Sequence, residues 1–357
     1  MMNNRNSTID IARGIGLIMV SVYHLVYRAK DGLADQAIRE FIWLILPLFF
    51  FMSGLFYNSG KRSLLQNILH RIKTLLIPTL KYTVILLLIG CAYCTAFHGY
   101  QLRDWVRDFV FTYLRPEFSA LIYGSEYAGI AFENISAVWF VWVMLFTYPV
   151  FYFLVEHCLK SLWNLIICVI ALLALGVMIY DFGPKISWSL TLVPVYAAIT
   201  LSGAYISNQW HNIKRNTFIA LLAVIIHVLM FQLYGSDSVY ASEVGTIGKW
   251  SVITFFLQTF IGGYALLMFC KALTKFNGLR KILTFIGRNS LSFLMLHCYF
   301  GVLFADLMHT YIKPGPNWYI EVTSEIFVKS LIGCLLSLIC CSAFCIVKER
   351  IKSCSQN

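Results

Sequence analysis

Ten apolar stretches follow one another along the chain, each close to the roughly 20 residues a helix needs to cross a bilayer's hydrocarbon core. They cover 9–27, 41–57, 75–97, 136–155, 162–180, 188–207, 216–234, 249–270, 282–305 and 326–347. A chain carrying that many such runs is not one oversized soluble core. The expected fold class is an all-α polytopic membrane protein with ten transmembrane helices. Composition agrees: 59% of the 357 residues are hydrophobic and 13% are charged, against roughly 25% charged in soluble domains. The second stretch is short and holds Pro47, which predicts a broken or tilted helix. No repeat or low-complexity segment interrupts the series, so residues 1–357 read as a single membrane domain.

The net charge of +11 would suggest nucleic acid in a soluble protein. Here basic residues gather in cytoplasmic loops, and no nucleic-acid partner is expected. With the N-terminus inside, the inner segments carry Lys61, Arg62, Arg71, Lys73, Lys160, Lys214, Arg215, Lys271, Lys275, Arg280, Lys281, Lys348, Arg350 and Lys352. The acids among them are Asp10, Glu156 and Glu349, while most acids fall in the outer segments. The bias predicts an N-in, C-in, multi-pass protein of the inner (plasma) membrane. The polar start, MMNNRNSTID, leads into the first run without a small-residue cleavage site, so no removable signal peptide is expected.

The one long connection, residues 98–135, falls outside. Trp105, Phe109 and Tyr113 amid charges predict an interfacial amphipathic helix there. Its aromatic residues suit either an interfacial belt or the faces of sugar rings. Cys91 and Cys94 have the spacing of a redox or zinc pair, but they sit in a predicted span without a second pair. Apolar packing is the reading taken, and no metal is expected.

The first stretch carries charge where lipid would exclude it: Asp10, Arg13 and His24. Arg13 and His24 are eleven residues apart, just over three turns, so they share a helix face about 16 Å apart along the axis. Asp10 is three residues before Arg13, on the same side. Singly, Arg13 reads as a snorkelling side chain and His24 as an interfacial one. Together, with Gly14 and Gly16 allowing close approach, they predict a polar seam facing the bundle interior.

The pattern Asp10-x-x-Arg13-Gly14, with His24 beyond it, resembles the first helix of the acyltransferase-3 family, ten-span bacterial membrane proteins that O-acylate sugars. LPLFFFMSGLFY (46–57) resembles its second-helix signature, carried by Phe49, Phe50, Phe51, Ser53 and Gly54. HRIKTLLIP (70–78) is similar to the basic segment before helix three, VWFVWVML (138–145) to the Trp-Phe motif of helix four, and IGRNSLSFLMLH (286–297) to a late signature with Gly287, Ser290 and His297. The resemblance covers almost the whole chain. One departure is Arg71-Ile72-Lys73, where the family places two arginines. Lysine keeps the charge but not the planar fork.

The resemblance implies transfer of an acetyl or short acyl group from acetyl-CoA, or a similar acyl-CoA, to a hydroxyl of an envelope glycan or lipid-linked sugar. His24 suits the general base. Asp10 would orient Arg13 or a partner. Ser53 is the candidate hydroxyl at the site, or else a backbone-bonded serine at a close helix contact. Arg13, Arg71 and Lys73 would meet the phosphates of CoA. Direct transfer and a covalent relay both remain open. His297 and His227 read as structural or accessory, and nothing marks Glu126, Glu133 or Glu156. The alternative is a transporter or flippase of lipid-linked sugar, which would use the polar seam as a pathway.

Overall fold

The computed structural model describes residues 7–26, 33–57, 60, 62–99, 101–104, 106, 139–182, 187–207, 217–234, 249–307 and 324–354. Trp105, Phe109, Tyr113, Glu126 and Glu133 lie outside the described residues, as does the side chain of His24.

Every regular element among the described residues is helical. The helices are α1 (Ser7–Val26), α2 (Leu33–Leu55), α3 (Leu64–Arg71), α4 (Ile77–His98), α5 (Trp139–Cys158) and α6 (Leu162–Phe182). After them come α7 (Val193–Ser207), α8 (Thr217–Tyr234), α9 (Lys249–Leu273), α10 (Asn277–Arg288), α11 (Ser290–Leu307) and α12 (Ser324–Cys354). A π-helical turn, Ile72–Leu76, joins α3 to α4, and a 3-10 turn, Ser187–Leu192, leads into α7. Each of the ten apolar stretches falls on one or more of these helices.

Among the described residues, six helical stretches are long and apolar enough to cross a membrane: Leu64–Phe97, Phe140–Cys158, Leu162–Ile179, Leu190–Ser207, Val252–Leu273 and Leu331–Ile351. Leu44–Leu55, Thr217–Met230 and Ser290–Gly301 are shorter apolar helices. Their outward faces are apolar too. On α6, Trp163, Ile167 and Ile170 are exposed, and on α8 so are Phe218, Leu221, Ile225 and Leu229. Water would not tolerate such faces, whereas lipid tails do.

The expected helix over 282–305 is two helices, divided at Asn289. The first, α10, alternates in the helical period. Leu283, Ile286 and Gly287 are buried, while Leu279 and Ile282 are exposed beside Arg280 and Lys281. A helix of that pattern suits an interface better than a span. At the break, the Asn289 side-chain nitrogen Nδ2 donates to Phe285 O at 3.2 Å and to the Glu349 carboxylate at 3.0 Å. An apolar count cannot register the change, because Ile282–Ile286 is as hydrophobic as a span. A second departure is the π turn. Pro78 has no N–H, and its ring crowds the carbonyl four residues back. The π turn, Ile72–Leu76, ends two residues before Pro78.

Two compact units make up the chain. The first holds α1 to Ala12, α2 from Glu40, α3 and its π turn, and the chain from Phe140 to Lys281. Its centre is α7, where every residue from Pro194 to Ala204 is buried. Tyr148, Phe151, Tyr152 and Val155 of α5 pack there with Ala197, Ala198, Leu201 and Ala204 of α7. Phe50 of α2 stacks on Tyr196, ring centroids 4.1 Å apart. The second unit holds α1 from Arg13, α4, α10 from Ile282, α11 and α12. Phe293, Met295, Leu296 and Cys298 of α11 are buried in it, as are Cys334, Cys341 and Cys345 of α12.

The glycine of the second-helix signature has a geometric reason. A Cβ added to Gly54 would lie 2.0 Å from the Thr200 carbonyl oxygen, and one added to Gly203 would lie 2.3 Å from that of Phe51. The backbones of α2 and α7 therefore touch, as small-residue contacts permit between membrane helices. Gly54→Ala and Gly203→Ala each force the two helices apart, in the manner of core overpacking that costs about 1–3 kcal/mol or more. The expected result is a lower melting temperature and a smaller monodisperse fraction in detergent. Wild-type melting of either variant would mean that the contact yields.

Candidate active site

Three helices of the first unit bring one polar cluster together. On α5, Tyr148, Tyr152 and Glu156 stand four residues apart and share a face. On α2 and just beyond it, Ser53 and Tyr57 have the same spacing. The two stripes meet in register. The Ser53 hydroxyl lies 3.0 Å from the Tyr148 hydroxyl. The Tyr57 hydroxyl donates to the Glu156 carboxylate at 2.5 Å. A serine has one proton to give, and Ser53 donates to the Phe49 carbonyl at 2.9 Å. In this arrangement, then, Tyr148 is the donor and Ser53 the acceptor.

Arg71 enters between these pairs from α3. Its position starts at Ser63, whose hydroxyl accepts from the Gln66 amide while the Gln66 side chain accepts from the Ser63 amide. This reciprocal cap fixes the first turn of α3, and Arg71 follows two turns later. Arg71 Nε donates to the Tyr152 hydroxyl at 2.8 Å, and the guanidinium carbon lies 3.9 Å from the Tyr148 ring centroid. The rings of Tyr148 and Tyr152 stack at 5.8 Å, and Tyr57 lies 6.0 Å from Tyr152. Tyr148 and Tyr152 are buried, Arg71 and Tyr57 half-buried, and Glu156 exposed. The result is a cationic fork laid on an aromatic bed, which suits an anion with planar or tetrahedral oxygens.

Of the residues singled out from sequence, Ser53 and Arg71 belong to this cluster, linked through Tyr148. Lys73 is exposed on the π turn, two residues beyond Arg71 and so on a different face of the helix. On α1, Asp10 is buried, 1% exposed, in the first helical turn, where the helix dipole favours a carboxylate. Arg13 is half-buried one turn later, and His24 falls in the last turns of the same helix. Gly14 lies against the Leu283 carbonyl, 2.2 Å from where its Cβ would be, so α1 and α10 touch backbone to backbone in the second unit.

No sequence motif marks Tyr57, Tyr148, Tyr152 or Glu156. The four-residue spacing on α5 was the available signal, hidden among the many aromatic residues of that span. The second unit holds another polar cluster. Lys348 Nζ donates to the Tyr82 hydroxyl at 2.8 Å and to the Ser292 hydroxyl at 2.9 Å, and those hydroxyls are 2.7 Å apart. It ties α4, α11 and α12 together. His297, of the late signature, places Nδ1 3.0 Å from Phe293 O and 2.9 Å from Leu294 O, and Ser337 of α12 donates to its carbonyl at 2.8 Å. That is a histidine anchored to its own helix. His227 packs against Gly262. Cys91, half-buried, and Cys94, buried, lie on α4.

The model of a protein family described as an acyltransferase domain matches residues 6–346. Comparison with curated proteins and with solved structures returned no match.

Proposed function

The chain belongs to the acyltransferase-3 family, and from that membership we propose that it moves an acetyl or other short acyl group from cytoplasmic acyl-CoA to a hydroxyl of an envelope glycan or lipid-linked sugar. The family match over nearly the whole chain, which supports a multi-pass membrane acyltransferase, carries this reading. The finer roles are ours. The topology is ten spans with both ends inside, in the inner membrane, so the basic loops face the CoA pool.

In the proposed reaction the acceptor hydroxyl attacks the thioester carbonyl. His24 takes the hydroxyl proton, and CoA departs with its sulfur taking that proton back. A base within reach of the hydroxyl typically contributes about 10²–10⁴-fold. Asp10 holds the polar face of α1 in place. Arg13, Arg71 and Lys73 supply positive charge to the phosphates of the donor. Ser53 contributes through Tyr148, since its own proton goes to Phe49.

The test is transfer of labelled acetyl from acetyl-CoA to endogenous glycan in membranes that contain the protein. Label should appear in the glycan only when the acyl-CoA is supplied. If no acyl-CoA labels any glycan, while glycan or lipid-linked sugar still crosses the membrane in a protein-dependent way, the transport reading replaces this one.

A further inference from the structure

Arg71 is held more completely than a surface arginine at a cytoplasmic boundary needs to be. Its Nε is hydrogen-bonded to Tyr152 and its plane rests on Tyr148. A guanidinium carries five N–H donors in one plane. One is used at Nε, and the ring contact fixes the tilt of that plane. Among the described residues, the terminal nitrogens donate to no carbonyl, hydroxyl or carboxylate. An acid is available nearby in sequence terms: Glu156 is one turn beyond Tyr152 on the same stripe of α5. Among the described residues, no ion pair joins it to Arg71. Its carboxylate instead accepts from Tyr57.

We infer that Tyr148, Tyr152 and Tyr57 form an orienting clamp that presents the terminal fork of Arg71 to a phosphate of the acyl donor. Tyr152 and Tyr148 set the direction of the fork, and Tyr57 keeps Glu156 from occupying it. All three are positioning residues, acting through Arg71. The inference rests on the acyl-CoA reading and adds the residues that make one cation of the donor site directional. A fork fixed in advance loses little freedom when it meets two phosphate oxygens, and that preorganisation is where the affinity arises. Without Tyr57, Glu156 is an exposed carboxylate on the same helical stripe as the Arg71 partner, and it becomes an internal competitor for the fork.

The consequences separate the clamp from a merely structural role. Tyr152→Phe keeps the ring and every charge but removes the acceptor for Nε. CoA binding should weaken about tenfold, the effect of one directed hydrogen bond to a charged group, while pantetheine, which lacks the phosphates at issue, binds as before. Tyr57→Phe should weaken CoA to a similar degree. Tyr57→Phe combined with Glu156→Gln should recover to within about twofold of wild type, because the competitor has lost its charge.

The experiment is equilibrium binding of CoA, and of pantetheine as the phosphate-poor probe, to the full chain purified in detergent. Wild type, Tyr152→Phe, Tyr57→Phe and the Tyr57→Phe/Glu156→Gln double variant are compared, with melting temperatures recorded. Selective loss of CoA in the single variants, with recovery in the double, supports the clamp. If wild type binds CoA and Tyr152→Phe binds it equally well, the clamp is wrong and the acyl-CoA reading stands. If the double variant is no better than Tyr57→Phe, Tyr57 does not shield Arg71 and the clamp is overturned at that residue. If wild type binds no CoA, the acyl-CoA reading itself fails and the clamp falls with it.

Discussion

Membranes carrying His24→Ala are expected to transfer acetyl to glycan at least about 100-fold more slowly than wild type, the lower end of what a positioned base contributes. The protein should still be made and folded, because alanine is a good helix former and His24 falls in the last turns of α1. CoA binding should stay within about twofold, since the proposed role of His24 is to accept a proton from the acceptor. Imidazole added to His24→Ala should restore part of the rate, which a purely structural histidine would not allow. Wild-type transfer by folded His24→Ala would remove the base from this reading. Arg13→Ala, by contrast, is expected to raise the acyl-CoA concentration needed for half-maximal rate, because its proposed task is charge on the donor and not proton transfer.

The positions of the helices were legible because one physical signal dominates: about 20 apolar residues in a row. That signal carries no information about which face of a helix meets which neighbour. Gly54 was legible as a close contact, since a glycine beside a serine in an apolar run has few other uses. Its partner, the α7 backbone at Thr200 with Gly203 beside it, was not, because nothing local in sequence ties residue 54 to residue 203. The same limit hid the clamp. The stripes Ser53–Tyr57 and Tyr148–Tyr152–Glu156 are each visible as four-residue spacings. Their register, 53 with 148 and 57 with 156, is a tertiary fact. The helix break at Asn289 escaped for a different reason: hydropathy averages over a window, and a buried face of α10 reads like the start of a span. Here the alternation of Arg280 and Lys281 with Leu283 and Ile286 was the better guide.

The departure at Lys73 also acquires a physical reading, and it leads to an unequal pair of outcomes. Arg71 is half-buried, stacked and hydrogen-bonded, whereas Lys73 is exposed on the π turn. A directed, charge-assisted contact outweighs an exposed charge that salt screens. Arg71→Ala is therefore expected to weaken CoA binding by about 10–100-fold, and Lys73→Ala by no more than about fivefold, with most of that smaller effect gone at high salt. Arg71→Lys is the informative variant. It keeps the charge, but an ammonium cannot lie flat on Tyr148 and bond Tyr152 while offering a two-pronged edge. It should fall nearer to Arg71→Ala than to wild type. Titration of CoA against the three variants at low and high ionic strength decides the matter. If Arg71→Lys binds like wild type, net charge is all that this segment supplies. Lys73 would then stand on equal terms with Arg71, and the second arginine of the family pattern would be replaceable by lysine at no loss.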